Sequence, residues 1–405
     1  MTADGLTRRF VLLRALRWLP LGLVLPFLVI TPESRGLSLG QIGAVFAVHS
    51  GVAIALEVPS GVLADTIGRR RMLLAGAMLT AVSLAIFAVA EAVVTFMASL
   101  ALLAAGRALI SGSLEAWYVD SLRILDPAAP LSHGLSRGTA AEGIAMALGA
   151  LAGGGLVTVS GYGLAAVAGA LAALGYLAAV AALVGEPRAS SHAWPSSAAV
   201  ASRAREVFRT ARAEAAGSVA VRVVVLTGVA LGMSFTAVEL LWQPRFGDLV
   251  GHAQAHGLAF GALAAASMLA VALGAGVSTT VNRRIGLRLG YLLALAFAAV
   301  CIAVLGAPGS PVAFAAVYLF AYLALGVADP MHFELLNDAV GPTARATLIS
   351  AESLAAQAGA LCANLSVGAL ASVHGPALTW ALAGMFLAVS VLTAAFALRR
   401  PPVRA

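Results

Sequence analysis

Seven charged residues lie inside stretches of this chain that are otherwise apolar: Glu57, Arg107, Glu115, Glu142, Glu239, Asp329 and Glu352. A charge at the centre of a membrane-spanning helix costs about 2.5–3.5 kcal/mol on insertion scales, so such residues face an interior or a water-filled cavity and mark function. Two chemistries are open to them. A carboxyl can take up and release a proton as its surroundings alternate between buried and exposed or paired. An arginine stays charged, so Arg107 needs a carboxylate, a carbonyl cage or a hydrated cavity. Either it orients a substrate and perturbs a nearby acid, or it ties helices together.

Depth sorts five of them. Glu57 stands eight residues before Asp65, roughly 12 Å along a helix. Glu115 is five before Asp120 and Glu142 five after Arg137, each roughly 7–8 Å in. Glu352 is seven after Arg345, roughly 10 Å in, whereas Arg107 is thirteen from Asp120 and so near mid-membrane at roughly 20 Å. Pro59, two residues after Glu57, frees a backbone carbonyl and bends its helix.

The elements that position these residues follow from composition. The chain has 405 residues, 61% hydrophobic and 11% charged, against about a quarter charged in soluble domains. A water-facing surface of that size cannot be built from so few charges, which makes this an all-α integral membrane protein. Apolar stretches long enough to cross the bilayer fall at about 11–30, 40–63, 72–90, 93–119, 137–158, 163–184, 220–243, 257–280, 288–306, 312–336, 345–371 and 376–397. The first is read as a retained span rather than a cleaved leader, because no small-residue cleavage site precedes "TPESRG".

Every basic residue is arginine. With the N-terminus cytoplasmic, 22 of the 25 fall on cytoplasmic segments, only Arg35 and Arg245 fall outside, and Arg107 lies within a span. That asymmetry places both termini in the cytoplasm and accounts for the net charge of +7 by topology, without nucleic acid as a partner. Cys301 and Cys362 sit in apolar runs and read as small core residues, with no metal spacing. Trp242, at the outer end of the seventh span, reads as an interfacial belt residue. No phosphate-binding G-K-[ST] loop, H-E-x-x-H or C-x-x-C motif is present, so the sequence points to a non-enzyme with no cofactor and no ATP-driven step.

The chain divides into residues 1–184, a polar loop at 185–219 read as lying on the anionic inner leaflet, and residues 220–405. The halves echo each other. Glu142 precedes "GALAGG" (149–154) as Glu352 precedes "GALCAN" (359–364), and both halves have a short basic turn after their second span. Paired six-span repeats are a feature of secondary transporters.

The stretch "GVLADTIGRRRML" (61–73) resembles the signature between spans two and three of the major facilitator superfamily, G-x-L-A-D-x-x-G-R-[RK]-x-x-L. The resemblance covers the whole chain and implies twelve helices in two pseudo-symmetric six-helix bundles. It further implies rocker-switch alternating access and a conformational latch on Gly61, Asp65, Gly68 and Arg69, with Asp120 as an acidic partner. Spans one, four, seven and ten line the cavity in this family, so Arg107, Glu115, Glu239 and Asp329 are its candidates for substrate contact or proton coupling. Glu57, Glu142 and Glu352 are candidates for buried interface acids, since spans two and eleven meet between the family's halves. "RALISG" (107–112) resembles the family's intramembrane arginine segment with one extra residue of spacing, and Gly149, Gly153 and Gly154 resemble its antiporter glycines, with Ala150 in place of proline. Close helix packing is an equally sufficient reading of those glycines. The expectation is a monomeric bacterial cytoplasmic-membrane protein that exports a small amphipathic molecule against the proton gradient. A metabolite importer and a non-transporting membrane scaffold are the alternatives.

Overall fold

The computed structural model describes residues 2–185, 197–217, 219–338 and 342–397. Their regular elements are all helical: α1 (Ala3–Val24), α2 (Ile30–Ser34), α3 (Leu39–Ile67), α4 (Arg69–Val89), α5 (Val93–Ile110), α6 (Ser113–Leu125) and α7 (Leu131–Ser160) lead the chain. Then come α8 (Tyr162–Leu183), α9 (Ser197–Gly217), α10 (Val219–Val250), α11 (Gly257–Ile285), α12 (Leu287–Val304), α13 (Pro311–Asp338) and α14 (Pro342–Ala397). In hydrocarbon every backbone group must be satisfied within the segment, and runs of alanine, leucine and valine do this as helices. Among the described residues eleven stretches are long and apolar enough to span a membrane. The last runs through Gly375, where a non-helical φ of 79° before Pro376 divides α14 in two, so there are twelve spans.

Three expectations shift. The first helix begins at Ala3 rather than near residue 11, and it carries Arg14 and Arg17 within its span. These two arginines are therefore not simple loop charges. The fourth span is broken at Ser111–Gly112, and Gly112 takes φ 72°, a left-handed conformation that a side chain resists. The seventh continues to Val250, and its Trp242 is 1% exposed, which excludes it from a lipid-facing belt.

Two compact units form. Unit 1 comprises Met1–Leu37, Gly51–Ala201 and His252–Ala265; unit 2 comprises Ser38–Ser50, Ser202–Gly251 and Ala266–Ala405. In unit 1 the rings of Phe10 and Tyr118 stack at 4.2 Å beside Leu13, Leu73, Trp117 and Tyr176. In unit 2, Tyr291, Leu295, Ala328, Met331 and Val391 form a corresponding core. Large side chains such as Val159, Val312 and Leu392 are exposed, as a lipid-facing surface requires.

Each unit joins its first and fifth spans through glycine. A Cβ on Gly22 of α1 would lie 2.6 Å from the Met146 carbonyl oxygen of α7. A Cβ on Gly232 of α10 would lie 2.1 Å from that of Ala356 in α14. Lipid gives no hydrophobic drive between helices, so backbones approach closely at small residues and gain dispersion contacts.

Candidate transport site

In unit 1 the sequence-predicted acids Glu115 and Glu142 meet on one cation. Arg14 donates from Nη1 to Glu115 Oε1 at 2.7 Å and from Nε to Glu142 Oε2 at 3.1 Å, and its Nη2 also contacts Glu142. Arg17, one turn further along α1, reaches Glu115 at 3.4 Å. The break at Gly112 starts α6 afresh, with Glu115 in its first turn.

Arg107 takes a different partner. The Trp18 ring has the guanidinium groups of Arg17 and Arg107 beside it, with Cζ at 5.4 and 5.5 Å from the ring centroid. Arg107 is exposed and makes no ion pair among the described residues. The cavity lined by Arg17, Trp18, Leu103 and Arg107 measures about 30 Å³, room for a single water.

The residues resembling a latch run from the last turns of α3, with Gly61 and Asp65, to the start of α4, with Gly68 and Arg69. Gly68 adopts φ 105°, which lets the chain reverse between α3 and α4. Arg69 pairs with Asp120 of α6, and the neighbouring Arg70 donates to the Ala181 carbonyl at 2.9 Å in the last turn of α8. Arg70 thus caps a helix end, as cations do at free carbonyls. Gly61 is exposed, with open space where a Cβ would point. The side chains of Asp65 and Arg345 lie outside the described residues, as do residues 186–196 of the central loop.

Unit 2 holds the remaining acids. Glu239 accepts a hydrogen bond from the Tyr322 hydroxyl. Around it runs a chain of rings: Phe235–Tyr322 at 5.8 Å, Tyr322–Tyr318 at 4.6 Å and Tyr318–Trp242 at 5.4 Å. Glu352 and Asp329 come together around a residue the sequence reading passed over. His332 Nε2 is 3.3 Å from Glu352 Oε1, its Nδ1 is 2.9 Å from the Tyr291 hydroxyl, and Asp329 lies one turn before it and acts on both His332 and Glu352. Glu57, half-buried in α3, belongs to unit 1.

The three α7 glycines are close-contact positions. A Cβ on Gly149 would meet the Gly22 backbone at 3.0 Å, one on Gly153 the Leu23 carbonyl oxygen at 2.1 Å, and one on Gly154 that of Gly257 at 2.7 Å. Of the two cysteines, Cys301 is buried, but Cys362 is exposed and so is not a core residue.

Arg14, Arg17, Trp18, Tyr322 and His332 were the contributors missed by reading the sequence. Arg14 and Arg17 carry one legible signal, a three-residue spacing that puts both on one helix face. His332, three residues after Asp329, carries the same signal.

A family model described as Major Facilitator Superfamily matches residues 10–258. No curated protein matches the chain. Among solved structures, the nucleoside transporter NupG aligns at a TM-score of 0.80 and 13% identity, over 98% of this chain and all 100% of that one. A variant of NupG aligns at 0.78 and 12% identity, over 97% and 99% of the two chains. A variant of the peptide transporter POT aligns at 0.71 and 16% identity, over 98% and 94%. At such identities the likeness speaks to the fold alone. The family match covers more than half of the chain and includes the 61–73 signature. On that match, with twelve helical spans beneath it, the chain belongs to the Major Facilitator Superfamily of membrane transporters.

Proposed function

We propose that this transporter couples export of a small amphipathic molecule to proton entry across the bacterial cytoplasmic membrane, by alternating access, with both termini cytoplasmic. The observation that carries the proton coupling is the contrast between Glu115 or Glu142 and Glu239. The first two are held by arginine, whereas Glu239 is held by the neutral phenol of Tyr322. An acid bonded to a phenol can gain or lose a proton without breaking an ion pair. Glu239 is therefore the proton carrier, and its aromatic wall suits an amphipathic substrate. Arg107, exposed beside Trp18, contacts substrate, and Asp65 with the Arg69–Asp120 pair acts as the conformational latch. The protein works as a monomer in lipid, without cofactor or nucleic acid.

Liposomes carrying the purified protein and a luminal pH dye provide the test. Addition of amphipathic fluorescent dyes moves protons in wild type. Glu239→Gln abolishes proton movement but retains dye-for-dye exchange. Proton movement that persists at the wild-type rate in Glu239→Gln removes that residue from the mechanism.

A further inference from the structure

The two units share a register that separates their acids. Gly22 to Gly232, Met146 to Ala356, Gly149 to Gly359 and Leu19 to Val229 are all steps of 210 residues, and in each unit a Cβ on the first glycine would meet the carbonyl oxygen of Met146 or Ala356 and a Cβ on the second that of Leu19 or Val229. Glu142 to Glu352 is the same step. Arg14, which neutralises Glu142, has Val224 as its counterpart. Unit 2 therefore keeps the acid of the repeat, and among the described residues no arginine pairs with it. Beside Glu352, at the place of Trp18, stands Gly228, whose Cβ would lie 3.1 Å from Glu352 Oε1.

Two features adjoin Glu352. One is an open cavity of about 420 Å³, lined also by Phe235, Thr236, Phe333, Ser353 and Gln357. The other is His332, 4% exposed and pinned at Nδ1 by the fully buried Tyr291. The 3.3 Å contact of its Nε2 with Glu352 falls outside hydrogen-bond geometry. That contact becomes a strong attraction only when the imidazole carries a proton. The titratable groups facing His332 are Tyr291 from α12, Glu352 from α14 and Asp329 from its own helix.

We infer that Glu352 recognises an organic cation in this cavity, and that protonated His332 competes with that cation for the carboxylate. Phe235 and Phe333 line the cavity, aromatic neighbours that suit a cation, and the volume suits a small amphipathic ammonium. Cation entry favours release of the His332 proton to water, and protonation of His332 favours cation release. This inference rests on the transporter reading and names its substrate class.

The test is binding, not transport. N-Methylquinolinium, a fluorescent cation with no titratable proton, and its neutral isostere 1-methylnaphthalene are titrated into the purified full-length protein in detergent. Wild type binds the cation and not the isostere, at least about tenfold more tightly at about pH 8 than at about pH 5.5, the interval over which imidazole ordinarily changes charge. Glu352→Gln loses about tenfold or more at the higher pH. His332→Gln retains binding and flattens the pH dependence. Equal binding of the two probes by wild type overturns the inference without any variant. So does undiminished binding by Glu352→Gln, or an unchanged pH profile in His332→Gln. The proton-flux comparison with Glu239→Gln decides the earlier reading by itself, so either can fail alone.

Discussion

Gly153 and Gly155 stand two positions apart on α7, and alanine at each has opposite consequences. At Gly153 the new Cβ lies 2.1 Å from the Leu23 carbonyl oxygen and 2.9 and 3.1 Å from Leu23 C and Cα. Ordinary contact begins at 3.4 Å, and every obstructing atom is backbone, so no side chain can turn aside. The segment of α1 around Leu23 has to retreat by about 1.3 Å, the difference between 3.4 and 2.1. A radial gap of about 0.5–1 Å already forfeits a quarter to a half of a dispersion contact. The neighbouring approach of Gly22 and Gly149, where a Cβ on Gly149 would meet the Gly22 backbone at 3.0 Å, opens with it. Overpacking of this kind costs about 3 kcal/mol at the upper end of its usual range, offset by about 1 kcal/mol of helix propensity. At Gly155 nothing lies within 4 Å. Only propensity remains there, a gain of about 0.5–1 kcal/mol. The two variants should differ by roughly 2–3 kcal/mol in unfolding free energy, on opposite sides of wild type. Denaturant unfolding of the purified protein in mild detergent measures the difference. Shifts of similar size and the same sign would refute the assignment of α1–α7 packing to Gly153.

Two further perturbations follow from the ion pairs. Arg14→Gln strands Glu142 and leaves Glu115 with Arg17 alone; with side chains 14–28% exposed, it should cost about 1–3 kcal/mol, less than a fully buried pair. Adding Glu142→Gln should recover most of that loss in the same unfolding measurement, and no recovery would mean that the pair is not coupled. Arg69→Asp places two carboxylates together and should slow proton-linked flux, while Asp120→Arg in the same chain restores it. The effect on stability stays below about 1 kcal/mol because both side chains are more than a fifth exposed. Failure of the reversed pair to restore flux removes this contact from the latch.

Legibility in the sequence tracked how local each cause is. Span number and approximate bounds follow from bilayer thickness acting on stretches of about 20 residues, so twelve spans were readable before any contact was known. The 61–73 signature was readable for the same reason, since its turn is built locally around Gly68. The glycines of α7 were legible as a packing or antiporter motif, but not the backbone atoms they admit. Arg14 was misread as a topology charge because Glu115 and Glu142 are 101 and 128 residues away.

Apolar composition by itself determined that this chain crosses a membrane as helices, because hydrocarbon leaves the backbone no other partner. The placement of charge by itself set the expected orientation. Only the tertiary structure decided which acids are neutralised. Glu142 and Glu352 occupy matching places in a repeated sequence, yet one meets an arginine and the other a histidine beside a cavity. An ion pair forms where side chains from different helices converge within a few ångströms, and that convergence is a property of the packed helices, not of any one stretch of chain.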